Sequence, residues 1–117
     1  MTSLPPRPTA DPSERRTVTL DAVFSILGDR DRRRLVSELV ETDSLSVEEF
    51  ARSADRDEFR VDDTRLYHVH LPKLHDAGVC NWDRDAGAVR RGPCFDDVAV
   101  VVEVLRANGD ALPGGWP

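Results

Sequence analysis

The order of the apolar patterns constrains the fold of this chain more than any single residue does. Four segments with helical spacing come first, two short alternating runs around a glycine-containing turn follow, and one more apolar segment comes last. Residues three and four apart share one face of a helix, whereas alternate residues share one face of a strand. The order predicts a mainly α-helical domain with a small β-hairpin and a C-terminal helix.

The first two segments each combine an apolar face with start and stop signals. Thr19 or Asp21 is a candidate cap of the first helix and Gly28 its stop, and the second helix follows Asp29. The inward residues predicted for the first helix are Leu20, Val23, Phe24 and Leu27. Those predicted for the second are Leu35, Val36, Leu39 and Val40.

The third and fourth segments predict a short helix and a longer one. Ser46 and Glu49 have the spacing of a capping box at the start of the third helix. Its predicted inward residues are Val47, Phe50, Ala51 and Ala54. The fourth helix starts after Asp62 or Asp63 and ends before Gly78, which suits the left-handed position that closes a helix. Its inward residues are taken as Tyr67, His70, Leu71 and Leu74, with Leu66 as the alternative to Tyr67.

Pro72 is unusual inside this fourth helix. It lacks an N–H, and its ring crowds the carbonyl of His68, so we expect a kink or an early helix end there.

The hairpin and the last helix follow. Residues 79–82 and 88–91 alternate around the turn 83–87, which predicts a β-hairpin. Residues 95–108 are rich in β-branched valines that also suit a strand, but their length and the Asn108–Gly109 stop favour a helix. The inward residues predicted for this helix are Val98, Val101, Val102 and Leu105.

This order of elements is that of a winged helix-turn-helix domain, with the third and fourth helices as the helix-turn-helix and the hairpin as the wing. We assign the domain to residues 18–92. Residues 1–17 hold four of the eight prolines and are predicted to be a disordered leader.

Residues 93–109 form the predicted C-terminal helix. Val100 and Val104 lie on a second apolar face of it, which suggests the seam of a homodimer. Residues 110–117 are predicted to be a flexible tail, in which Trp116 is free to dock on a neighbouring surface.

Composition limits the function classes. A chain of 117 residues builds one modest core, which excludes a two-domain enzyme. The net charge is −6, 15 of the 22 acidic residues are Asp, and Lys73 is the single lysine. This balance is typical of proteins hydrated in concentrated salt, although a GC-rich genome favours the same residues. Without a secretory signal, an apolar run near the ~20 residues of a membrane helix, or a disulfide framework, we expect a cytoplasmic protein.

The sequence also resembles a known group. LYHVHLPKL at 66–74, HDAGV at 75–79 and DRDAG at 83–87 resemble haloarchaeal winged-helix domains of unknown function, which share a YHxHLPKLxxAGVV pattern before a (Y/W)-D-x-D-x-G turn. The resemblance extends over residues 20–89, and Cys80 stands where those domains more often have an aliphatic residue.

A more distant likeness points in the same direction. LPKLHDAGVCNWD at 71–83 is similar to the end of the recognition helix in the ArsR and MarR repressor classes. Together these resemblances imply a DNA-binding regulator of transcription in a halophilic archaeon, without a known target or ligand.

Candidate DNA contacts lie on the outward side of the fourth helix and on the wing. Arg65 is the strongest, because a guanidinium binds guanine through two hydrogen bonds, although pairing with Asp62 explains it equally well. The predicted DNA-binding residues are Thr64, Arg65, His68, Lys73, Arg84 and Arg90. A second cluster, Arg30 and 32–34, is a weaker candidate for phosphate contact.

The sequence predicts no metal site, no cofactor and no enzyme. His68, His70 and His75 with Cys80 lack the spacing of a tetrahedral site, and no nucleophile or phosphate loop is present. Two hypotheses remain: a winged-helix regulator that binds double-stranded DNA as a homodimer, and a winged-helix module that binds a protein partner instead. A basic stripe from Arg65 to Arg84 favours the first, and interspersed carboxylates favour the second.

Overall fold

The computed structural model describes residues 18–56 and 62–117, so the predicted leader at 1–17 lies outside the described residues. Three helices and one strand come first: α1 (Leu20–Leu27), α2 (Arg30–Glu41), β1 (Ser44–Ser46) and α3 (Val47–Arg56). The hairpin strands are β2 (Cys80–Asp83) and β3 (Ala88–Arg91), and α5 (Phe95–Ala107) precedes a 3-10 turn at Gly109–Ala111.

The fourth helix, α4, is continuous but irregular. It consists of an α-helical turn at Asp63–Arg65, a π-helical segment at Leu66–His70 and an α-helical end at Leu71–Asp76. The helices and the antiparallel sheet, with strand order β1-β3-β2, form the predicted winged-helix fold with its added C-terminal helix.

The predicted caps are confirmed. The side chain of Thr19 accepts the N–H of Ala22 at 3.1 Å, and that of Asp29 accepts the N–H of Asp31 at 2.8 Å. Asp62 caps α4 in the same way, and the Ser46 hydroxyl accepts the N–H of Glu49 at 3.3 Å. Gly78 has φ +74°, the left-handed conformation expected after α4.

Strand β1 is an element that the sequence patterns did not reveal. Three residues are too few to display alternation, yet Leu45 pairs with Val89 of the wing and Val47 donates its N–H to the carbonyl of Gly87. The strand therefore ties the start of α3 to the wing and fixes the wing beside the helix-turn-helix.

The predicted core face of α1 is wrong at two of its four residues. Leu20 and Phe24 are 59% and 57% exposed, whereas Val23, Ile26 and Leu27 are buried. The predicted and the observed buried faces of α1 share Val23 and Leu27, so helical spacing alone does not distinguish the two faces.

In α4 the π-helical segment shifts the register. Leu66 is buried and Tyr67 is 42% exposed, so the inward residue is the alternative, Leu66, and not Tyr67. The N–H of Leu71 bonds the carbonyl of Leu66 five residues back, which places these two side chains on the same inward face. The π-helical segment directly precedes Pro72, and the helix continues to Asp76, so the early helix end expected at this proline does not occur.

The core joins all the helices to the wing. Leu35, Val36 and Leu39 of α2 are its centre, as predicted, and Val98 and Val102 of α5 close one side. Trp116 packs partly buried against it, the docking that the sequence left open for the tail. Within the described ranges, no helix has the length and apolar character to cross a membrane.

Candidate functional site

Within the described residues, the outward side of α4 is exposed along its N-terminal half. Between positions 62 and 69 every residue except Leu66 is exposed, including the predicted contact residues Thr64, Arg65 and His68. The buried side of the same helix carries His70, Leu71 and Leu74 into the core. The helix therefore presents its N-terminal half to solvent from a rigid base.

A cleft of about 420 Å³ separates this side of α4 from the wing. The rings of Tyr67 and Trp82 lie 6.1 Å apart between centroids, and the Arg84 guanidinium lies 4.5 Å from the Trp82 ring. The backbone N–H of Trp82 donates to Nδ1 of His75 at 3.1 Å, and this bond holds the wing against the helix. The residues that line the cleft are Tyr67, His68, Pro72, Trp82 and Arg84.

The structure brings only some of the predicted contact residues together. His68 and Arg84 share the cleft, and Lys73 is half-buried on α4. Arg90 neighbours the buried Val89 along β3, so it lies on the outer face of the sheet. Arg65 points toward α2, where its guanidinium lies 4.0 Å from the carboxylate of Asp29.

Tyr67 and Trp82 are site residues that sequence reasoning missed. Tyr67 was assigned to the core because the π-helical register was not foreseeable from spacing. Trp82 was assigned only to a strand, although an aromatic beside a turn arginine is a usable signal for a ring and cation pair.

Two arginines of the cluster at the start of α2 are structural. Arg32 is 8% exposed, and its Nε and Nη2 donate to the carbonyls of Ile26 and Ser25 at 2.7 and 3.1 Å. Arg33 donates to the carbonyl of Leu27 at 2.7 Å. These bonds satisfy the carbonyls at the end of α1. Because Arg32 is buried, the expected phosphate contact is wrong for that residue, whereas for Arg33 it stays a prediction.

Arg91 of β3 plays the same part for α2. It donates to the carbonyls of Leu39 and Val40 at 2.8 and 3.1 Å, and its Nη1 lies 3.3 Å from Asp43. Arg91 thus links the wing to the C-terminal end of α2.

A buried imidazole links α2 to α4. Arg32 Nη1 lies 2.9 Å from Nδ1 of the fully buried His70. Because a guanidinium only donates, Nδ1 accepts and the proton of the neutral ring is on Nε2. That N–H points toward two carboxylates, 3.6 Å from Asp29 and 3.7 Å from Asp31. Burial lowers the pKa of His70, and Arg32 lowers it further, against the opposite pull of Asp29.

The two carboxylates have different protonation behaviour. Burial and the negative charge of Asp29 raise the pKa of Asp31. Burial also acts to raise the pKa of Asp29, but the N–H of Asp31 and the nearby His70 and Arg32 more than offset it, and the pKa is lowered.

The ligand atoms of Asp29, Asp31 and His70 lie within 4.8 Å of one another, a spacing that suits a metal ion. The chemistry does not, because the Nε2 atom that faces the carboxylates carries the proton while Arg32 occupies Nδ1. The cluster therefore fits a joint between α2 and α4, held by the hydrogen bond from Arg32 to His70, better than a cation site, and Nε2 of His70 lies beyond hydrogen-bonding distance of both carboxylates.

Both cysteines, Cys80 and Cys94, are buried, and no disulfide joins them. Burial raises the pKa of the Cys80 thiol to about 12. The thiol therefore stays protonated, and a thiolate is what reacts.

Charges of both signs are mixed across the helix and the wing. The predicted cations are Arg65, Lys73, Arg84 and Arg90, and the exposed carboxylates among them are Asp62, Asp63, Asp83 and Asp85. The surface is therefore not the continuous basic stripe that favours DNA most strongly. Asp62 caps α4, and Asp83 accepts the N–H groups of Asp85 and Ala86 at 3.1 Å, so both are held by the backbone.

Comparison with known proteins gives one match. A family model described as a domain of unknown function (DUF7344) matches residues 24–90, from α1 to the second strand of the wing. No curated protein and no solved structure matches the chain.

Proposed function

The chain belongs to the DUF7344 family of domains of unknown function, and for this member we propose binding to double-stranded DNA and regulation of transcription. The observation that carries the proposal is the exposed N-terminal half of α4, flanked by a wing whose arginine and aromatic side chains face the same cleft. A helix of this kind fits the major groove, where base edges are read.

The proposed contacts divide by position. Thr64 and Arg65 stand in the exposed first turns of α4, where Thr64 faces base edges directly and the Arg65 guanidinium reaches them by leaving its 4.0 Å contact with Asp29. His68 and Arg84 face the adjoining DNA backbone. Lys73 and Arg90 add phosphate contacts at the margins of the surface.

The net charge of −6 sets the mode of binding. Counterion release drives binding weakly in concentrated salt, so short-range base and sugar contacts must supply most of the affinity. The Asp-rich, lysine-poor composition supports a salt-loving source, and the resemblance to haloarchaeal domains implies that this source is an archaeon.

Genome-wide recovery of DNA crosslinked to the tagged protein at native salt tests the proposal. We expect discrete peaks that are lost in Arg65→Ala and retained in Arg52→Ala. Arg52 is a matched control, since its side chain is 59% exposed against 55% for Arg65 and it pairs with Glu48 on α3. A profile equal to that of an untagged strain contradicts DNA binding.

One observation favours a second candidate, a module that binds a protein partner. The carboxylates of Asp62, Asp63, Asp83 and Asp85 repel a phosphate backbone but suit a basic protein surface. The same experiment decides between the two, because a protein-binding module gives no discrete DNA peaks.

We propose further that the regulator is a homodimer through α5. Val100 and Val104 are 61% and 58% exposed one helical turn apart, an apolar surface that the core leaves uncovered. Asp97 of α5 accepts the N–H of Val18 at 3.2 Å, so the exposed Leu20 and Phe24 of α1 start nearby and extend the seam. A second copy doubles the few cations that each surface offers to DNA.

Sedimentation equilibrium at native salt tests the dimer. The double variant Val100→Glu, Val104→Glu is expected to sediment as a monomer, because paired copies would bury four carboxylates. Ser53→Glu on the exposed side of α3 is the control and is expected to remain dimeric. A wild-type protein that stays monomeric at every concentration contradicts the seam.

A further inference from the structure

The cleft between α4 and the wing has two kinds of wall. Tyr67 and Trp82 offer aromatic surface, while Arg84 and His68 offer hydrogen-bond donors. Burial leaves the indole Nε1 of Trp82 without a hydrogen-bond partner in the described part of the chain. A ligand that fits these walls has an apolar ring surface beside an anion.

The cleft also differs from its surroundings in charge. None of its lining residues is acidic, although Asp83 precedes Arg84 directly. Asp83 lies on the opposite face of β2 from Trp82, and its Oδ1 accepts two N–H groups of the wing turn. Within the described residues, Arg84 stacks on Trp82 and forms no ion pair, so its guanidinium is available to an anion.

The proposed DNA binding places one strand at this point. A helix in the major groove and a hairpin beside it are separated by the sugar–phosphate strand that divides the two grooves. We propose that the cleft holds one nucleotide of that strand, with its deoxyribose against Tyr67 and Trp82 and its phosphate on Arg84 and His68. This inference rests on the proposed function and names the part of DNA that the wing contacts.

Trp82 fluorescence gives a direct test. In a Trp116→Phe background Trp82 is the single tryptophan, and Trp116 lies outside the cleft. Titration with a short duplex taken from a crosslinking peak is expected to change the Trp82 emission at the same DNA concentrations that raise fluorescence anisotropy of the labelled duplex. Unchanged emission during binding overturns the inference.

Substitutions in the aromatic wall and in the hydrogen-bond-donor wall of the cleft test the two kinds of contact separately. Tyr67→Ala is expected to weaken duplex binding about tenfold without changing its salt dependence, because it removes apolar contact with the deoxyribose and no charge. Arg84→Gln is expected to reduce the slope of log affinity against log salt by about 0.9, the loss of one phosphate contact. Arg106→Gln removes the same charge on α5 and is expected to leave the slope unchanged. Wild-type affinity and slope in both cleft variants overturn the inference.

Failure of the inference is distinguishable from failure of the proposed function. Absence of any duplex binding by the wild-type protein contradicts both. If the duplex binds without a change in Trp82 emission, and Tyr67→Ala has wild-type affinity, only the proposal that the cleft holds a nucleotide is contradicted. Equal affinity for the single strand of the same sequence also overturns it, since no groove then positions the strand.

Discussion

Arg32→Met is expected to lower the free energy of unfolding by about 3–5 kcal/mol, because several acceptors lose their donor at once and each buried polar group left unsatisfied costs about 1–3 kcal/mol. The methionine keeps the apolar stem of the side chain but none of its donors. The carbonyls of Ser25 and Ile26 and Nδ1 of His70 then lose their partner. Equilibrium denaturation at native salt measures the change.

Arg52→Met is the matched control for this prediction. Arg52 is exposed and pairs with Glu48 within one helix, a type of ion pair that contributes about 0.3–0.5 kcal/mol. If the two variants lose similar stability, the buried joint between α1, α2 and α4 does not exist as described.

Acid is expected to destabilise the fold through His70. Its pKa in the folded protein lies below the ordinary 6.5, so both states are neutral at higher pH and stability does not depend on this group there. As the pH falls below 6.5, the unfolded chain takes up a proton that the folded chain excludes. Stability then falls by at most about 1.4 kcal/mol per pH unit until the folded pKa is reached.

Asp29 and Asp31 affect the stability of the fold at lower pH than His70 does, and one of them acts in the opposite direction to His70. Asp31 has a raised pKa, so its protonation favours the folded state, whereas the lowered pKa of Asp29 opposes it. Arg32 and Arg65 are the other charged groups near the ring, and both act to lower the pKa of His70.

Denaturation midpoints between pH 7.5 and 5 test the prediction. His70→Gln keeps an acceptor for Arg32 and is expected to flatten the curve in this window. His68→Gln removes an exposed imidazole and is expected to leave the curve unchanged. A wild-type protein whose stability is constant across the window contradicts a buried neutral His70.

The elements of the fold were largely predictable because their signals are local. Thr19, Asp29 and Asp62 cap helices through bonds to residues two or three positions on, and Gly78 ends α4 by its own backbone conformation. Local chemistry of this kind is legible in the sequence.

The site was less predictable because its residues depend on register and on distant partners. The π-helical segment exchanges Leu66 and Tyr67 between core and surface, and spacing rules assume a regular helix. Arg32 was interpreted as a phosphate contact, because its partner His70 lies 38 positions away and only the fold brings them together.

We propose that α4 and the wing together form the DNA-contacting surface. Titration of the isotope-labelled protein at native salt with a duplex from a crosslinking peak, followed by the amide resonances, tests it most directly. We expect the largest amide shifts at Thr64, Arg65, His68 and residues 82–84 of the wing. The amide resonances of α5 are expected to stay unchanged. Shifts confined to α1 and α5, or none at saturating DNA, would contradict the claim.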